Sequence, residues 1–303
     1  MVGPTEARRM ITPWVDRWKR RAWQPDTVAL AALPRTRPAI VITGGSEGIG
    51  QALASAFSDR GKPLVLVARN PAKLEQAANH LNQAAAKPAC LTLSQDLTAP
   101  DATDNLRAFL ASHGLHAEIL ISSAGIGNSG DFAAETPEKL EALCQLNVTA
   151  LTRLTRALLP DMLTRGSGGI INVASLGGFA PGPYQSAYYA SKAYVISLTR
   201  ALEHETRGAG VRIACLAPGP VNTGFHERAG PGAESAFYRR ILPAMSPVDV
   251  AQSAHRGYDL GHGLIIPGLF AHGLGMIMRL TPSALQTPII AILLKPRTGR
   301  KSS

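Results

Sequence analysis

Tyr188 and Lys192 stand four residues apart at the start of Ser186–Arg207, a stretch whose pattern reads as a helix. Residues i and i+4 share a helix face, so a phenol and an ammonium enter the same space. A free tyrosine, with a pKa of about 10, is a poor base at neutral pH. The neighbouring ammonium favours the phenolate and makes proton exchange with an alcohol feasible. Alone, such a pair is equally an ordinary helix-surface contact. Ser175 gives it a context. It ends an apolar run thirteen residues before Tyr188, at the sheet edge where open α/β folds place ligands, and its hydroxyl can hydrogen-bond a carbonyl oxygen as negative charge develops there. The sixteen residues between Ser175 and Lys192 carry no charge. Such walls suit an apolar ketone, aldehyde or alcohol better than a sugar phosphate or dicarboxylate. Tyr189, three residues before Lys192, is a rival phenol. No metal is needed for this chemistry.

A second constellation is Thr43-Gly44-Gly45-Ser46-Glu47-Gly48-Ile49-Gly50, between a strand-like run and a helix-like one. Glycine permits the tight turn and the close backbone approach that a pyrophosphate requires, and the helix start offers free N–H groups with a positive dipole end. The end of the next strand reads Ala68-Arg69-Asn70. An acidic residue there would accept hydrogen bonds from ribose hydroxyls; a guanidinium instead suits a 2′-phosphate. NADP(H) is therefore expected in preference to NAD(H).

The elements that must position these groups follow from the apolar patterning. Ala39–Thr43, Leu64–Ala68, Ala89–Ser94, Glu118–Ser122, Gly169–Ala174 and Val211–Ala217 read as strands. Gln51–Arg60, Pro71–Ala86, Ala99–Ser112, Pro137–Arg165 and Ser186–Arg207 read as helices between them. Strands without polar alternation, each followed by a helix, predict an α/β fold: a doubly wound parallel β-sheet of the Rossmann type in a single domain, with N- and C-terminal extensions. The divisions fall at 1–37, a basic Trp-rich extension with an amphipathic helix; 38–267, the catalytic domain; and 268–303, an apolar extension with a basic tail. The Gly- and Pro-rich segment Thr223–Pro247 reads as a mobile substrate lid.

The glycine loop, with Thr43, Gly44, Gly48, Ile49 and Gly50, and the Tyr188-Tyr-Ala-Ser-Lys192 motif together resemble the short-chain dehydrogenases/reductases. The resemblance spans about Pro38–Pro267. It implies an oxidoreductase in which Tyr188 donates a proton to a carbonyl oxygen while NADPH delivers hydride to carbon, or the reverse. Lys192 would hold the nicotinamide ribose and tune Tyr188, and the motif falls on Tyr188, which leaves Tyr189 as packing or as a wall of the site. Asn147, within Leu-Asn-Val-Thr, matches the family's fourth catalytic member, which orders a water relay near the lysine. Asp96-Leu97 stands where the family uses an aspartate to hold adenine. Pro218-Gly219-Pro220-Val221-Asn222-Thr223 resembles the segment that meets the nicotinamide. Ser122-Ser123-Ala124-Gly125 occupies the place of the family's Asn-Asn-Ala-Gly, and its two serines depart from the pattern, implying altered local hydrogen bonding. The family also implies a homo-oligomer.

The formal charge of +10 is unevenly placed. Residues 1–37 hold eight Lys/Arg against three acids, and the tail from Lys295 holds four basic residues and no acid, so the body is nearly neutral. No nucleic acid partner is expected, since neither end carries a reading motif. All three tryptophans, Trp14, Trp18 and Trp23, lie in one basic stretch where Ile11, Trp14, Val15, Trp18 and Ala22 form a helical stripe. That composition fits an interfacial membrane binder or a docking arm against another subunit. Leu260–Leu294 contains a single charged residue, Arg279, but glycines and prolines interrupt it. A strand and helices covering the cleft, a subunit interface or a membrane-facing hairpin are all compatible with it. Three scattered cysteines without zinc-type spacing and the lack of a secretory pattern point to the cytoplasm, and the composition of the two ends adds a peripheral place on the membrane as an expectation. A non-catalytic dinucleotide sensor or scaffold on the same fold is the alternative; the set Asn147, Ser175, Tyr188 and Lys192 argues against it, because a sensor has no need of a phenol beside an ammonium.

Overall fold

A computed structural model describes residues 27–83, 89–225 and 244–295. The Trp-rich stretch, most of the expected lid and the basic tail beyond Lys295 lie outside the described residues. Seven parallel strands form one sheet in the order β3-β2-β1-β4-β5-β6-β7: β1 Arg37–Thr43, β2 Leu64–Ala68, β3 Cys90–Ser94, β4 Leu115–Ser122, β5 Gly168–Val173, β6 Val211–Leu216 and β7 Leu264–Ile265. The order reverses between β1 and β4, which opens a crevice at the carboxyl ends of those strands.

Alternation along β1 shows why both faces must be covered. Ile40 and Ile42 pack with Leu53 and Phe57 of α2 (Gly48–Phe57), Leu74 of α3 (Pro71–Asn82) and Val250 of α8 (Pro247–Asp259). Ala39 and Val41 pack on the other side with Leu106 of α4 (Ala102–Ser112) and Leu154 and Leu158 of α6 (Leu151–Arg165). Period-two geometry sends neighbouring apolar residues to opposite layers, so an uninterrupted apolar run is what a doubly covered strand requires. A short helix, α1 (Thr27–Ala32), precedes β1, and α7 (Ser186–Glu205) lies between β5 and β6.

All five expected helices differ in extent: α4 starts at Ala102 and α7 ends at Glu205. The second ends at Asn82, and the first begins at Gly48 and tightens into a 3₁₀ turn at Ser58–Arg60, closed by left-handed Gly61. The expected continuous helix Pro137–Arg165 is α5 (Pro137–Cys144), a π turn Gln145–Ala150, and α6. A π turn accommodates an extra residue without breaking the helix, and apolar periodicity does not reveal it. Beyond the final strand lie α9 (Leu269–Leu280) and α10 (Ser283–Leu294).

Candidate active site

The glycine loop is shaped as a cradle. Gly44 and Gly48 hold φ of +65° and +58°, conformations that favour glycine. At Gly50 a β-carbon would lie 2.1 Å from the Gly44 carbonyl oxygen, so only hydrogen fits where α2 crosses its own loop. The loop then turns into the start of α2, leaving amide N–H groups directed to the crevice. Gly50→Ala should force that crossing apart and weaken NADPH binding by about tenfold or more, with a lower melting temperature. Calorimetric titration with NADPH and a thermal melt test it; unchanged values would remove the loop from the cofactor site.

One cleft of about 1380 Å³ runs from this cradle past the ends of β2, β4 and β5. It is lined by Gly44, Ser46, Glu47, Gly48, Ile49, Gly50, Arg69, Asp96, Leu97, Ala124, Gly125, Ser175, Tyr188, Lys192, Pro218, Gly219, Val221 and Thr223. Two expected residues stand behind its walls. Thr43 is buried, and its hydroxyl oxygen accepts from the Ser123 and Ala124 N–H groups at 3.1 and 3.2 Å, fixing the segment before Gly125. Asn147, on the π turn, is also buried. Its Oδ1 accepts from the Ile126 N–H at 2.9 Å, and its Nδ2 donates to the Ile126 carbonyl at 2.8 Å and to Ser191 Oγ at 3.1 Å. The side chain braces the floor of the cleft. The serine pair that departs from the family pattern leaves a trace: Ser122 Oγ is buried without a hydrogen-bond partner.

Ser175 caps the turn Leu176–Phe179 beyond β5, where its oxygen accepts from the Gly177 N–H at 3.1 Å. The hydroxyl keeps its own proton to donate. Lys192 rises from α7 into the protein and donates to the Val173 carbonyl at 2.9 Å. Burial pulls its ammonium down from an ordinary value of 10.5 to about 8, an effect opposed by Cys215. The ammonium lies 5.7 Å from the centre of the Tyr188 ring. Asn147 Oδ1 and Lys192 Nζ lie 3.2 and 3.5 Å from where a Gly125 β-carbon would sit, so both flank the same glycine. Tyr189 lines the cleft and is otherwise buried against Gly182, where a β-carbon would clash with its ring, and Gly177, where one would sit 3.1 Å from it.

At the far end, Asp96 accepts from the Thr98 N–H at 2.9 Å and hydroxyl at 2.8 Å. The backbone bond foremost, then that hydroxyl and the charge of Arg69, hold its carboxyl below the ordinary range. Several contributors escaped the sequence reading. Lys73 lines the same cleft and pairs with Glu47 at 2.7 Å. Its signal was available, one turn into a helix capped by Asn70 beside Arg69. Asn128 accepts from the Tyr188 N–H at 3.3 Å, and Phe225 sets its ring 5.5 Å from that of Tyr188. Neither belongs to a local pattern.

The profile described as short chain dehydrogenase matches residues 38–233. An uncharacterized oxidoreductase of Staphylococcus epidermidis is 34% identical over 187 residues, covering 62% of this chain and 79% of that one. The very-long-chain 3-oxoacyl-CoA reductase of Bos taurus is 28% identical over 229 residues, or 74% of this chain and 72% of that one. The solved short-chain dehydrogenase from Sphingobium yanoikuyae, in complex with NADPH, is 33% identical with a TM-score of 0.69, covering 81% of this chain and 97% of that one.

Proposed function

Given that this chain belongs to the short-chain dehydrogenases/reductases, oxidoreductases that interconvert CH–OH and C=O with a nicotinamide dinucleotide, we propose that it acts on an apolar ketone, aldehyde or alcohol with NADP(H) in preference to NAD(H). The observation that carries the reading is the convergence of Ser175, Tyr188 and Lys192 on the cleft that also holds the glycine cradle. The cradle fits a pyrophosphate, because its glycines leave space and amide donors where side chains would stand. When bound there, NADPH supplies hydride to the carbonyl carbon.

The chain's own groups do the rest. Ser175 donates its hydroxyl proton in a hydrogen bond to the substrate oxygen and so holds it beside Tyr188. Tyr188 gives a proton to that oxygen, or takes one from the alcohol in the reverse direction. Lys192, anchored on Val173, uses its remaining protons to hold a ribose hydroxyl, and its charge favours the phenolate. Asn147 positions Ile126 and Ser191 beneath them. The bovine relative, named for an acyl substrate with a very long chain, agrees with an apolar substrate class.

Arg69 supports the choice of NADP(H). It lines the cleft beyond β2, and no carboxylate stands at that strand end. Arg69→Ala should weaken NADPH binding by about 1–3 kcal/mol and leave NADH almost unchanged, the scale for one charge-assisted contact. Titration of both cofactors against both proteins decides it, and equal losses would show that Arg69 does not read the 2′-phosphate. The reading extends to a homo-oligomer in the cytoplasm, attached peripherally to membrane. The net positive charge at the two ends supports that attachment. Among the described residues no helix is long and apolar enough to cross a membrane.

A further inference from the structure

Helices α9 and α10 are apolar on two sides. The inner side of α9 is accounted for: Gly275 meets Leu176 and Ile266, and Ala271 approaches Gly219, so the helix backs the turn that follows Ser175. The outer side carries Leu269, Met276, Ile277 and Leu280 in one stripe, at i, i+7, i+8 and i+11. Leu269 is 95% exposed and Leu280 80%. On α10, Leu285, Ile289 and Ile292 repeat the arrangement at i, i+4 and i+7. The Gln286 side-chain amide donates to the carbonyls of Met278 and Thr281, tying the two helices into one hairpin. Eight of the fourteen exposed large apolar side chains among the described residues lie on this hairpin. Single exposed leucines are ordinary, but a concentration of this kind marks an interface.

Charge selects the occupant. After Asp259 the sequence contains no acidic residue, while Lys295, Arg297, Arg300 and Lys301 follow α10 directly. Every formally charged residue of this C-terminal segment is thus a cation, and an apolar stripe on such a segment complements an anionic lipid surface. Each helix has 12 residues, about 18 Å of rise against a hydrocarbon layer of about 30 Å, so neither is long enough to cross a bilayer. Leu294, at the end of α10, is buried and lines the substrate cleft. The element with the bare apolar face therefore also walls the site.

We infer that the α9–α10 hairpin is a bilayer-docking element, which lays its outer stripe on anionic lipid and brings the cleft to the surface from which an apolar substrate enters. The inference rests on the peripheral-membrane reading above and assigns it to named residues. The test is sedimentation of the full-length protein with vesicles of equal parts phosphatidylcholine and phosphatidylglycerol at low salt, against a variant combining Leu269→Gln, Ile277→Gln and Leu280→Gln. Those side chains are exposed, so the variant should keep its NADPH affinity and its turnover of a water-soluble ketone, which also verifies its folding. The vesicle-bound fraction should fall by more than about tenfold, because the buried apolar area that drives partition is removed. A second variant, Ile289→Gln with Ile292→Gln, should fall in the same direction. If the intact protein stays in the supernatant, the membrane reading and the hairpin assignment both fail. If intact and variant proteins sediment equally, membrane attachment stands and the hairpin assignment is wrong. If neither sediments and the substitutions reduce the particle mass measured by light scattering, the face is a contact between copies of the chain, and the inference is overturned.

Discussion

Tyr188→Phe is expected to lower turnover by about a thousandfold or more while NADPH affinity stays within about twofold, since removing a positioned proton donor costs about 10²–10⁴ and the substitution deletes one oxygen only. The rest of the residue's environment survives. Its N–H still donates to Asn128 Oδ1, and its ring still lies against Phe225 and beside the Lys192 ammonium. Tyr189→Phe is the control. That ring fills space left by Gly177 and Gly182 and is buried, so its loss of an oxygen should change turnover only a few-fold. Steady-state kinetics of both variants, with cofactor titration of each, separates the two phenols. Near-normal turnover by Tyr188→Phe would remove it as proton donor, and a collapse in Tyr189→Phe would transfer the role.

The same contrast shows what could be read from the sequence. The choice of Tyr188 over Tyr189 rests on the family motif, because a helix brings both the i, i+3 and the i, i+4 phenol to the face of Lys192. The strands were legible because a doubly covered sheet demands unbroken apolar runs, and the cradle because its glycines are needed where they stand. Thr43 belongs to the same motif, yet it is buried behind the cleft wall and holds Ser123 and Ala124. Sequence gives the residue, but the partner of a strand-end hydroxyl depends on which strand lies next to it. Asn147 was found through its motif, whereas the π turn that aims it at Ile126 has no periodic signature. Asn128 and Phe225 reach Tyr188 across large sequence separations, so no window contains the contact. The apolar character of the C-terminal region was plain, but which face is covered depends on Leu176 and Phe179, nearly a hundred residues earlier.

Lys192 carries a cost that the fold alone does not require, and this leads to an opposite pair of effects from one substitution. In the cofactor-free protein, burial lowers its pKa from 10.5 to about 8. Below about pH 8 the folded and unfolded chains both hold the proton, and the penalty for burying the ammonium is present in full. Between about 8 and 10.5 the unfolded chain binds more proton than the folded one, so stability rises with pH through that window and levels off above it. Lys192→Met keeps the length and volume of the side chain and removes the charge. It also leaves the Val173 carbonyl without its donor, which offsets part of the gain. The net expectation at pH 7 is a gain of about 1–3 kcal/mol in stability, read as a higher melting temperature, that shrinks as pH is raised towards about 10. Turnover should nevertheless fall by about a hundredfold or more, and NADPH affinity should fall with it, because one side chain both tunes Tyr188 and holds the cofactor in the proposed mechanism. Calorimetry of both cofactor-free proteins across that pH range, beside steady-state kinetics at neutral pH, measures the two effects independently. A variant less stable than its parent at pH 7, with a difference that does not change with pH, would show that Lys192 is retained for packing and not for chemistry.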